Sequence, residues 1–156
     1  MRTRTVIGAL AAAAALAAPA ATAANEPAAY GMATSSTLTV VSGVVVSAKS
    51  VDLRGVWLDE TKPCTQTRKL RVSIEVFYSS GSGATRRTKL AKKGPVANCA
   101  EGGPNFGYTF RAAARGYACT SGAWRPGSYS FVTTTRDTVS GLVASASLNW
   151  TKKGSC

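Results

Sequence analysis

Histidine is absent from the 156 residues. With it go the commonest general base and the commonest metal ligand. Ser-His-Asp and Cys-His arrangements are therefore excluded. Carboxylates are scarce as well: Glu26, Asp52, Asp59, Glu60, Glu75, Glu101 and Asp137 are the only seven. A glycosidase needs two of them facing across a cleft. Asp59 and Glu60 are adjacent on a strand end, so they point to opposite faces. No C-x-x-C pair offers a metal-ligand spacing. Gly102-Gly103-Pro104 is a turn and is not followed by the Gly-Lys-Ser/Thr of a phosphate loop. These absences argue against an enzyme and imply neither a cofactor nor a metal.

Long apolar runs are also missing. Val6–Ala18 is alanine-rich and too short for a span, which needs about 20 residues. It follows Arg2 and Arg4 and precedes the small-residue sequence Ala21-Thr22-Ala23. Charge, apolar core and A-x-A site in that order are the marks of a signal peptide, assigned to residues 1–23. The remaining 133 residues suit one domain. With no second apolar stretch and no lipid-attachment cysteine near the cleavage site, no transmembrane anchoring is expected. The product is expected to be secreted by a bacterium.

An exported chain meets an oxidising compartment, where four cysteines read as a disulfide framework. They are Cys64, Cys99, Cys119 and Cys156. Ala24–Ser36 shows neither helical nor strand period and reads as a flexible N-terminal arm. Tyr30 and Met32 are its adhesive side chains. From Thr37 to Cys156 period two dominates. Strands are expected at Thr37–Ala48, Val51–Leu58, Leu70–Ser79, Thr85–Ala91, Phe106–Ala113, Ser128–Thr135 and Gly141–Trp150. Gly43 suggests a bulge or bend, and Gly55 a register shift. Seven or eight strands with turn signals between them predict an all-β fold, an immunoglobulin-like β-sandwich. In that topology Cys64 and Cys99 lie in loops at one pole, and Cys119 and the C-terminus at the other. The expected bridges are Cys64–Cys99 and Cys119–Cys156.

Net charge is +12, or +10 without Arg2 and Arg4. Nine cations fall between Lys62 and Lys93. Arg86, Arg87 and Lys89 stand on the basic fourth strand, with Arg71 on its neighbour. Such a strand either protects a sheet edge from aggregation or faces an anionic cell-surface polymer. Specific nucleic-acid recognition is not expected, since no helix or aromatic platform accompanies the charges. Trp57 could stand outward as a binding platform. Trp124-Arg125 lies on a loop near Cys119, and its composition is that of a binding hot spot. The same tryptophan could instead cap the end of the sandwich.

The leader, the arm Ala24–Ser36 and the four-cysteine β-domain together resemble, in organisation, the small secreted adaptor subunit of actinobacterial umbrella toxin particles. The resemblance implies a non-catalytic protein that links a toxin subunit and a lectin subunit. It assigns no role to an individual residue. A secreted hydrolase inhibitor is the alternative. Amylase inhibitors of similar build present a Trp-Arg-Tyr loop, comparable to Trp124-Arg125-Pro126, although the third residue and the cysteine pattern differ. A carbohydrate or polyanion binder using Trp57 or Trp124 with the basic patch is a further reading.

Overall fold

The computed structural model describes residues 26–36, 38–59, 67–97 and 106–156. The leader, Cys64 and Cys99 lie outside these residues.

The chain forms β1 (Ala28–Ser35), β2 (Leu38–Val46), β3 (Ser50–Asp59) and β4 (Thr67–Ser79). It continues with β5 (Arg86–Ala97), β6 (Phe106–Arg111), β7 (Gly127–Asp137) and β8 (Val143–Lys152). All pairings are antiparallel. The first sheet has the order β1-β2-β3-β6 and the second β5-β4-β7-β8. Without β1, this is the immunoglobulin-like arrangement of three strands against four.

Alternation drives the packing. Leu70, Val72, Ile74 and Val76 of β4 are buried, as are Leu38, Val40, Val44 and Val46 of β2. Of these, Val44, Val46, Val72, Ile74 and Val76 meet Phe110, Tyr129 and Phe131 between the sheets. A side chain of this size contributes about 1.5–3 kcal/mol when fully buried.

A belt of hydroxyls divides this interior. Ser42 donates to Thr133 at 3.1 Å, and Thr135 donates to Ser42 at 3.1 Å. Leu38, Val40, Leu70, Val96 and Ala144 cluster on one side, and the aromatic residues on the other. The sheets approach closely at the belt. A Cβ on Gly55, the register partner of Ser42, would come within 2.8 Å of Val72 and Thr135 side-chain carbons.

Gly55 therefore marks a close approach and no register shift, because β2 and β3 pair continuously from Leu38↔Asp59 to Val46↔Val51. Gly43 likewise sits within unbroken pairing, opposite Tyr30 and Arg54, and forms no bulge.

The expected N-terminal arm is also corrected in its local structure. Ala28–Ser35 is strand β1, paired along its whole length with β2. Its inward positions, Ala29, Gly31 and Ala33, are too small to register as an apolar alternation, and they are half-buried. Their size lets β1 lie against β8. A Cβ on Gly31 would stand 1.7 Å from the Ser145 carbonyl oxygen.

One pole is closed by the segment between β6 and β7. A 3-10 turn at Ala113–Arg115 ends at Gly116 in the left-handed region, φ 72°. A small antiparallel bridge follows between Ala118 and Trp124. Tyr129, near the start of β7, donates its hydroxyl to the Arg125 carbonyl at 2.7 Å. That contact is the tyrosine corner of immunoglobulin-like sandwiches. Burial first, then the neighbouring phenols of Tyr78 and Tyr117, pushes the Tyr129 hydroxyl well above the usual phenol range. The Cys119–Cys156 disulfide ties this cap to the chain beyond β8. At the other pole, Thr67 and Ala97 are register partners and flank the segments that carry Cys64 and Cys99.

Candidate binding surfaces

The residues singled out from the sequence fall into four settings. Tyr30 and Met32 share the outward face of β1, opposite Gly43 and Val41. They are 64% and 67% exposed. Among the described residues, the only other exposed large apolar side chain is Val139, in the turn between β7 and β8. Beside them on β2, Thr39, Val41 and Val45 are half-buried. β1 carries no charged residue at all. The outer face of the first sheet thus bears a largely apolar strip along its β1 side.

Trp124 is not available to a partner. It is 1% exposed. Its ring packs against Tyr129, Phe131, Trp150 and Phe110 at centroid distances of 5.2, 5.7, 6.0 and 6.3 Å. The indole Nε1 donates to the Ser47 carbonyl at 2.9 Å. Of the two readings of this loop, a binding hot spot and a cap on the sandwich end, the structure has the cap: the loop is a lid whose tryptophan points inward, since burying so large an apolar ring outweighs exposing it. Arg125 stays exposed, and its Nε donates to the Ala118 carbonyl at 3.0 Å. The side chain of Trp57 lies outside the described part; its backbone pairs with Val40.

Arg86 is occupied with the same lid. It donates to the carbonyls of Arg115 and Gly116 at 2.7 and 3.3 Å. Its guanidinium stands 4.5 Å from the centre of the Tyr117 ring. It therefore holds the cap in place and is committed within the fold.

Arg87 and Lys89 both pair with Glu75, at 2.7 and 2.9 Å. Hydrogen bonds from Lys89 and then Arg87 hold the Glu75 carboxyl below the usual carboxylate range. The basic strand is thus partly neutralised where the sequence suggested free charge. Arg71 does not stand beside Arg87 and Lys89; its partner on β5 is Lys93.

The remaining described carboxylates are dispersed. Asp52 accepts from Thr109 at 2.7 Å on the first sheet, while Glu75 lies on the second. Asp137 is wholly buried at the end of β7. It accepts from Arg68 at 2.6 Å and from the Ser140 backbone and hydroxyl at 2.8 and 2.6 Å. Burial raises its pKa, but the Ser140 hydrogen bonds and the Arg68 charge outweigh this and leave the carboxyl below its usual range. A shallow depression on the second sheet, lined by Phe77, Tyr78, Ser128, Ser130, Asn149 and Trp150, carries no charged side chain. Among the described residues no group of three or more carboxylates and cysteines could hold a metal ion.

No protein-family model matches the chain, and no curated protein matches it. Among solved structures, it is similar to part of a Bacteroides uniformis beta-glucuronidase 2 covalently bound to cyclophellitol-6-carboxylate aziridine. The identity is 11% and the TM-score 0.38, covering 80% of this chain and 13% of that one. A second Bacteroides uniformis beta-glucuronidase structure matches at 10% identity and TM-score 0.36, with the same coverage. The chain spans 13% of the length of these enzymes.

Proposed function

We propose that this chain is a secreted, non-catalytic protein-binding module that serves as an adaptor in a larger secreted assembly. A particle joining toxin and lectin subunits is the assembly its organisation suggests. One observation carries the reading: two of the three exposed large apolar side chains among the described residues, Tyr30 and Met32, are neighbours on one face of an uncharged strand. Charge and coverage usually blunt an outermost strand, and β5 carries five cations. β1 has none, so its outer face is left open for a protein partner.

A tyrosine and a methionine suit this role. Each buries a large area on binding, and methionine adapts its shape to the partner. The rigid sandwich beneath holds them in a preformed geometry, which lowers the ordering cost of association. The inhibitor reading loses its presenting residue, because Trp124 is turned into the core.

The test is capture by the mature chain in culture supernatant of the secreting cell, followed by size-exclusion chromatography. A stoichiometric complex with a larger secreted protein, lost in the Tyr30→Ser/Met32→Ser variant, is the expected result. A complex unaffected by both substitutions, or recovery of a single inhibited hydrolase, would overturn the reading.

A further inference from the structure

Arg71 on β4 lies directly opposite Lys93 on β5 and, on its other side, directly opposite Arg136 on β7. All three side chains are exposed. They form a row of cations across three adjacent strands, and Lys69 continues it on the same face of β4. Opposed residues on one sheet face have Cβ atoms about 5 Å apart, and like charges there oppose folding.

Nothing acidic among the described residues relieves the row. Glu75, four residues along β4, is engaged by Arg87 and Lys89, and Asp137 is buried beneath Arg68. Edge protection explains cations on β5, which is the outermost strand. It does not explain Arg71 and Arg136, because β4 and β7 are interior strands of their sheet. An anion lying across the row does.

We infer that the outer face of the second sheet binds a linear polyanion with repeated phosphate groups, a polyol-phosphate polymer of the cell-envelope type. The row spans two inter-strand spacings, about 10 Å. Arginine guanidinium groups match phosphate through paired hydrogen bonds. The adjoining row, Ala91, Ser73, Thr134 and Ser145, is small and mostly hydroxylated, a flat floor for the uncharged parts of such a polymer. No aromatic side chain stands in either row. Nucleobases therefore find no stacking platform, and a bilayer finds no interfacial aromatic anchor. The site lies on the sheet opposite the one that carries Tyr30 and Met32, so it stands independently of the protein-binding reading.

The experiment measures binding of the mature chain to poly(glycerol phosphate) across a salt series. Arg71→Ser/Arg136→Ser is compared with Arg111→Ser/Lys153→Ser, which removes the same charge elsewhere. The row variant should bind at least tenfold more weakly at low salt. Its slope of log affinity against log salt should fall by roughly one unit per cation removed. Its melting temperature should hold or rise, since repulsion is relieved. The control should stay within about twofold. Equal losses in both variants, or no binding by the unaltered chain, would overturn the site. Equally tight, row-dependent binding of single-stranded DNA or phosphatidylglycerol vesicles, at matched phosphate, would overturn the ligand class.

Discussion

Replacing Trp124 by alanine should remove the keystone of the capped pole. The ring is almost wholly buried and touches four aromatic neighbours. A buried tryptophan removes about 150–250 Å² from water. At roughly 25 cal/mol per Å², that corresponds to about 4–6 kcal/mol as an upper figure. Truncations of this kind cost about 3–5 kcal/mol. The Nε1 bond to Ser47 falls within the same loss and leaves a carbonyl short of a partner. Against a usual stability of about 5–15 kcal/mol, the domain is left marginal. Urea unfolding followed by far-ultraviolet circular dichroism should show the midpoint falling steeply at a nearly unchanged slope. Arg125→Ala, on the same loop, should cost under about 1 kcal/mol, because its contact is exposed. A loss below about 1 kcal/mol for Trp124→Ala would refute the inward assignment of this loop.

Further outcomes follow from the same geometry. Peptide mapping without reduction should recover Cys119–Cys156, and Cys64–Cys99 as the sequence alone leads one to expect; removing the first bridge, which closes a 37-residue separation, should cost about 4 kcal/mol in chemical unfolding. Asp137 has a depressed folded pKa, so its contribution is fully present above its ordinary value of 3.8 and is lost as pH falls through the lower folded value. Asp137→Asn should lower stability at neutral pH and flatten the acid limb of the stability curve below about pH 4; an unchanged limb would contradict the assignment. Gly31→Ala should detach β1 from β8, because the new methyl meets the Ser145 carbonyl. Faster amide exchange confined to residues 28–35 and their partners is the expected readout, and an unaltered pattern would contradict the close approach.

Much of this fold is legible in the chain. The alternation of Leu70, Val72, Ile74 and Val76 gives β4 outright, and strand polarity places Cys119 and Cys156 at one pole. β1 escapes because hydrophobicity counts large side chains, and its inward residues are Ala29, Gly31 and Ala33. Their smallness is a packing requirement that appears only when β8 is laid beside them. Gly43 and Gly55 mislead for a related reason. A glycine in a strand reads as a break, whereas Gly55 is the residue that lets two sheets close on the hydroxyl belt. The basic patch changes its membership when register is known. Arg87 and Lys89 find Glu75, while Arg71 and Arg136, 65 positions apart in sequence, become cross-strand neighbours. Local composition carries the number of charges but not which of them a carboxylate satisfies. Trp124 shows the same limit, since a loop composition suited to recognition equally suits a lid.

The most direct test of the central claim places a photoreactive phenylalanine analogue at Tyr30 and, separately, at Thr134 on the opposite sheet. Illumination in the native secretion mixture should crosslink a protein partner from position 30 and none from position 134. A protein adduct formed from position 134 alone would contradict it.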